Sequence, residues 1–270
     1  GMFRFSRPIL FKLRCQPTLV GEQCRVLKLP AFLEGLHKQE GVPQQAERPF
    51  LDRIADLLDA EIQSRQIKRC ARLFKESGIR DLLPSVDRIV YEPDRGLNRH
   101  EIEDLADCRW ITHEPPLNVT VTGMAGTGKT WLMKALGKEA IQRGFSTSYW
   151  RAADLIDRLR QARQDGEPVQ FRNRLNSKRL LIIDDFAMTP MDEQTRDDFF
   201  SLIEERTMSG SMMIGSQRDF EDWYRYIGDK YHADAILDRL RNSSYMLRLK
   251  GRSFRERTES AQLTKGDASQ

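Results

Sequence analysis

Eight consecutive residues, Gly123-Met124-Ala125-Gly126-Thr127-Gly128-Lys129-Thr130, fit the pattern G-x-x-x-x-G-K-[ST] without deviation. Glycines in such a loop let backbone N–H groups converge on phosphate oxygens, and the N-terminus of a following helix adds partial positive charge. Lys129 is placed to reach β- and γ-phosphates, and the Thr130 hydroxyl to ligate Mg²⁺. The second half of such a site is a carboxylate at the end of a buried strand. Leu180-Leu181-Ile182-Ile183-Asp184-Asp185 supplies it, 55 residues after Lys129, a distance that suits two βαβ units of ~30 residues each. Asp184 is expected to hold Mg²⁺, and Asp185 to polarise the attacking water. ATP and Mg²⁺ are the cofactors these residues imply. A plain glycine-rich turn, or an Asp-Asp helix cap, explains either motif alone but not both in this order.

Other chemistries fail on spacing. The four histidines (His37, His100, His113 and His232) form no HExxH and have no cysteine partners at zinc distances. His100-Glu101 and His113-Glu114 read as solvated loop residues. Cys15, Cys24, Cys70 and Cys108 form no CxxC, so reduced thiols in a cytoplasmic protein are expected. No apolar run approaches the ~18–20 residues a spanning helix requires. The segment Met2 to Leu13 is broken by Arg4, Arg7, Pro8 and Lys12, so it lacks the apolar core of a signal peptide.

Around the motifs, strands and helices alternate. Val119–Thr122 reads as a strand, followed by the glycine-rich loop and a helix to about Arg143. Ser146–Trp150 reads as the next strand, with a helix from Ala152 to Gln164 after it. Leu180–Ile183 is a continuous apolar run, the mark of a strand covered on both faces. A helix over 192–208, a strand over 211–216, a helical stretch near 232–241 and a strand over 245–249 complete the series. Such alternation predicts an α/β domain with a parallel sheet.

Upstream, Pro84, Pro93 and Gly96 punctuate residues 84–98, which read as a linker. Before it, Phe50, Ile54, Leu57, Leu58 and Ile62 recur at the spacing of one helix face. Arg65, Lys68, Arg69 and Arg72 continue that helix at i, i+3, i+4 and i+7, so four cations share one face. Like charges at this spacing repel unless something anionic lies opposite. DNA phosphates would serve, and so would carboxylates elsewhere in the chain. Residues 2–25 show no clean period.

Charge is unevenly distributed. The chain of 270 residues carries a formal net charge of +4. Residues 1–75 hold 14 Lys/Arg against 8 Asp/Glu, and residues 239–257 hold 7 against 1. Two basic ends around an acidic middle suggest a polyanion held by particular surfaces. Arg158, Arg160 and Arg163, after the second strand, add a further candidate group. No aromatic residue is interleaved with these cations, so contacts to phosphates rather than stacking on bases are expected.

Several runs together carry a family resemblance: LKLPAFLEGL at 27–36, RGLNRHEIEDLADCRWI at 95–111, GMAGTGKT, LLIIDDF, and AILDRL at 235–240. They resemble the IstB family, AAA+ ATPases that help insertion-sequence transposases and are close relatives of the DnaC helicase loaders. The likeness extends over about residues 25–257 with motif order kept. It implies an AAA+ core at 96–257 behind a small N-terminal helical domain at 26–95, with a basic extension at 1–25 and a disordered tail at 258–270. It further implies an ATP-dependent homo-oligomer on double-stranded DNA, with ATP between subunits. The protein partner it implies is a transposase, or a replicative helicase if the chain works as a loader. Arg239 matches the arginine finger that acts on a neighbour's ATP, and Arg255 resembles the sensor-2 arginine. The sensor-1 position, commonly Asn, is matched by Gln217, one methylene longer. Asp185 stands where many AAA+ ATPases have Glu, and the shorter base implies slow hydrolysis.

Overall fold

The computed structural model describes residues 17–189, 191–227, 233–234, 237–238, 240–241, 244–251 and 253–254. Most of the basic extension, the tail from 258, Arg239 and Arg255 lie outside the described residues. Two compact units divide at Lys68/Arg69.

The first unit is helical: α1 (Pro17–Val26), α2 (Pro30–Glu40) and the first two-thirds of α3 (Phe50–Glu76). Glu61 organises it. Its carboxylate accepts the Ala31 and Phe32 N–H groups, 2.8 and 3.2 Å away, at the first turn of α2, where unpaired amides need an anion. Arg65 donates to the same carboxylate at 2.8 Å, and this bond leads the causes that hold the Glu61 carboxyl below its usual range. Helix α3 forms as its periodicity predicts. Yet of the apolar face only Leu57 is buried, while Phe50, Leu58 and Ile62 are exposed.

The second unit is a five-stranded parallel sheet between two helical layers. Its strands are β1 (Asn118–Gly123), β2 (Thr147–Arg151), β3 (Leu180–Phe186), β4 (Ser211–Ser216) and β5 (Ser244–Leu249), in the order β2-β3-β4-β1-β5. Side chains alternate across the sheet as strand geometry requires. Leu180, Ile182 and Met213 face one core with α4 (Arg99–Ala106), α5 (Arg109–Thr112) and α6 (Lys129–Gln142). Leu181, Ile183, Met212 and Ile214 face the other, with α7 (Ala152–Gln164), α8 (Pro168–Asn176), α9 (Glu193–Ser209) and α10 (Phe220–Ile227). Leu180–Ile183 is fully buried on both faces, as its unbroken apolar run implies.

The expected linker at 84–98 is not a tether. Its punctuation is present as short 3-10 turns at Val86–Arg88 and Pro93–Arg95, but Ile89 and Arg95 are buried against the sheet unit. Nor is His100 in a loop: it lies on α4, where its N–H is capped by Asn98 Oδ1 at 2.9 Å. Among the described residues no helix is long and apolar enough to cross a membrane.

Candidate nucleotide site

The loop between β1 and α6 lies at the C-terminal end of the sheet, next to the strand-order switch between β1 and β4, where ligands of open α/β sheets bind. Gly126 and Gly128 both take left-handed φ, 80° and 94°. A side chain at Gly126 would strike Ser253, and one at Gly128 would meet Arg95 Nη2 at 2.9 Å. Backbone alone fits there, leaving the amides at the head of α6 open to an anion.

Lys129 is buried, and its ammonium donates to the Gly123 and Met124 carbonyls at 2.7 and 2.8 Å. The neighbouring Thr130 hydroxyl donates to Asp184 Oδ2 at 2.7 Å. That carboxylate is 1% exposed, and both its oxygens accept hydrogen bonds. Tyr149 OH donates to the same oxygen at 2.9 Å, and the Asp185 N–H to Oδ1, also at 2.9 Å. Burial and the adjacent Asp184 charge raise the Tyr149 hydroxyl far above its ordinary value, so it stays a donor at any physiological pH.

Consecutive strand residues ordinarily face opposite ways. Here Asp185 adopts φ 56°, and the β3–β4 register shifts between Ile183 and Phe186. This break lets Asp185 line the cleft while Asp184 faces Thr130. Positive φ at a non-glycine residue costs on the order of 1 kcal/mol and concentrates at functional sites. Asp185 is paired with Arg151 at 3.3 Å.

The cleft has a volume of about 480 Å³ and is walled by the P-loop with Arg151, Asp185 and Gln217. Gln217 follows β4 and lines the cleft. Beside it opens a mainly apolar cavity of about 290 Å³, lined by Ile89, Val90, Leu97, Trp131, Leu132 and Phe254, with Arg88 and Arg95 also in its wall. Gly128, Trp131 and Phe254 belong to both spaces. A polar cleft for phosphates joined to an apolar slot for a planar base is the shape of a nucleotide site. Sequence reasoning missed this slot, although Trp131 directly follows the motif and Ile89-Val90 is an apolar pair.

The cation groups have diverse surroundings. Arg65 is held by Glu61 and by the Lys28 carbonyl at 2.8 Å, and Arg69 donates to the Gly144 carbonyl at 3.0 Å. Lys68 and Arg72 are exposed on α3. Arg160 meets Asp157 and Asp192 at 2.9 and 3.2 Å, Arg163 meets Asp198 at 2.7 Å, and Arg158 lies 3.8 Å from Asp165.

The sheet order, the P-loop and the β3 carboxylates define an AAA+ P-loop ATPase. The fold is similar to that of AMPPCP-bound DnaA from Aquifex aeolicus, with a TM-score of 0.54 at 20% identity over 69% of this chain and 56% of that one. It is likewise similar to DnaI, at 0.54 and 20%, over 63% of this chain and 92% of that one. The family model described as IstB-like ATP binding protein matches residues 22–262, and the chain belongs to that family. An insertion-sequence ATP-binding protein of Sinorhizobium fredii is 34% identical over 200 residues, 74% of this chain and 80% of its own. The corresponding protein of insertion sequence IS5376 from Geobacillus stearothermophilus is 28% identical over 243 residues, 90% and 96% of the two chains.

Proposed function

We propose that the chain is the ATP-dependent, DNA-binding helper of an insertion-sequence transposase. The observation that carries this reading is an intact nucleotide site in a chain matched almost end to end by relatives named for insertion sequences. ATP would enter with its base in the slot beside Trp131 and its phosphates over the P-loop. Lys129 would exchange two neutral carbonyl acceptors for anionic β- and γ-oxygens, so that both partners in each bond are charged.

Thr130 and Asp184 are the residues to hold Mg²⁺. Hydroxyl and carboxylate oxygens 2.7 Å apart at the phosphate end are the hard donors that ion requires, with phosphates and water completing its shell. Bound there, it would neutralise charge on the β- and γ-phosphates. Tyr149 keeps Asp184 aimed at that point. Asp185, once Arg151 gives way, is the carboxylate that orients the attacking water, and Gln217 contacts the γ-phosphate. Arg239 from a neighbouring subunit, with Arg255, completes the charge on the transferred group, so hydrolysis requires a homo-oligomer.

Double-stranded DNA is the polyanion for the basic surfaces, gripped through its phosphates. On α3, Lys68 and Arg72 offer charge directly, whereas Arg65 and Arg69 must give up bonds they already make. Arg158, Arg160 and Arg163 form a second surface under the same constraint.

The test is retention of duplex DNA with and without ATP, and phosphate release from ATP with and without DNA, each repeated with an insertion-sequence transposase added. DNA retention that needs ATP, with transposase strand transfer stimulated in the same mixture, is expected. Hydrolysis indifferent to DNA, together with stimulated loading of a hexameric helicase, would overturn the transposase reading.

A further inference from the structure

We propose that Arg95 is a positioning residue for the P-loop, and that its stack on Phe254 ties ATP affinity to the seating of that ring, which follows β5. This role rests on the nucleotide site proposed above and not on the DNA reading.

Arg95 is 7% exposed, in a segment that reads as a linker. Its guanidinium donates through Nη1 to the Val90 carbonyl at 2.5 Å and through Nη2 to the Thr127 carbonyl at 2.9 Å. The guanidinium carbon lies 4.4 Å from the centroid of the Phe254 ring, within the range of a cation–π contact. Backbone bonds tie the same parts together: Lys250 N–H to the Arg95 carbonyl at 2.9 Å, and Phe254 N–H to the Gly126 carbonyl at 3.0 Å. One side chain thus joins three segments: the turn at 90–95, the P-loop, and the chain after β5.

The Thr127 contact has a geometric consequence. A trans peptide is planar and its C=O and N–H point opposite ways. Pinning the Thr127 carbonyl on Arg95 aims the Gly128 N–H at the other side of the loop, where a phosphate oxygen is to be bound. A Cβ at Gly128 would stand 2.9 Å from Arg95 Nη2, on a residue whose φ of 94° already favours glycine. With Gly126 held by Phe254, the carbonyls of two successive P-loop peptides are fixed from outside the loop. Only a planar fork with several donors makes both carbonyl bonds and still presents a face to an aromatic ring.

The experiment is a cycle of variants, Arg95→Met, Arg95→Lys, Phe254→Leu and the two doubles, each assayed for KM and kcat in ATP hydrolysis by the full chain. Interactions that orient the loop serve ground and transition state alike, so KM should rise about tenfold for Arg95→Met while kcat stays within about twofold. Arg95→Lys, which restores one donor but no stacking face, should recover part of the loss. Phe254→Leu should raise KM less, and Arg95→Met with Phe254→Leu no further than Arg95→Met alone, as residues acting through one contact do. If Arg95→Met fails to fold, the cycle of Arg95→Lys and Phe254→Leu carries the same test. An unchanged KM in the Arg95 variants, or KM effects that multiply in the double, would overturn the proposal.

Discussion

At the head of α6, groups far apart in sequence converge on one small volume. The amides of the P-loop, the Lys129 ammonium, the Thr130 hydroxyl and the β3 carboxylates all reach it. Along α3, by contrast, Arg65, Lys68, Arg69 and Arg72 are spread over about 10 Å at 1.5 Å per residue. The first arrangement suits a compact anion of fixed shape; the second suits an extended one with repeated charge. The two differ in how replaceable their members are. In a convergent site each group fills a place that nothing else can reach, whereas in a row each contributes a share. Loss of one group should therefore be close to all-or-none at the first site and fractional at the second.

The sharpest test lies in the part of the convergent site that a neighbour would supply. Arg239→Ala should lower ATP turnover by about a thousandfold, the low end for an arginine finger, with ATP affinity of the monomer nearly intact. Asp185→Asn should also be inactive yet still bind ATP. Mixing the two inactive proteins should restore activity at interfaces that pair an intact Arg239 with an intact Asp185. Mixtures that co-assemble but stay inactive would place the arginine in its own subunit's site. A second, smaller effect concerns Lys129. Its Ala variant loses two charge-assisted bonds to phosphate, at ~1.5–3 kcal/mol each, so ATP affinity measured by titration should fall by at least about a hundredfold. DNA binding without nucleotide should not change.

The same contrast explains what the sequence discloses. The P-loop and the β3 carboxylates are local strings whose order and spacing follow from the βαβ unit, and the structure places them at 2.7 Å. Strand β4 is legible to the residue, because 211–216 is a short apolar run between turn signals. Arg95 is not, since Pro93-Asp94-Arg95-Gly96 reads as punctuation and its burial depends on Thr127 and Phe254, 32 residues on in one case. Tyr149 is hidden likewise: its hydroxyl acts on Asp184, 35 residues away. The short helix α10 escapes because its Phe220, Trp223 and Ile227 make one face over only two turns. The pairing of Arg163 with Asp198 across α7 and α9, 35 residues apart, has no periodic trace either. What a single side chain does across the fold leaves no local pattern.

The smallest expected effect is at the row on α3, where it also decides what the row is for. Lys68 and Arg72 stand one turn apart and exposed, while Arg65 and Arg69 are held by Glu61 and by the Gly144 carbonyl. Reversing the exposed pair, Lys68→Glu with Arg72→Glu, should weaken binding to duplex DNA about tenfold at moderate salt, regardless of base sequence. Each phosphate contact releases counterions and contributes about −0.9 to the slope of log affinity against log salt. Losing two should flatten that slope by about 1.8, a change that a fluorescence titration over a range of salt concentrations resolves. Reversing Arg65 with Arg69 should flatten it less, because those side chains pay for a phosphate with a bond already made. It should also lower thermal stability, through the lost hold on Glu61. A slope unchanged in the Lys68/Arg72 variant, with binding to the transposase lost instead, would make the row a surface for protein and leave Arg158, Arg160 and Arg163 as the cations to test on DNA.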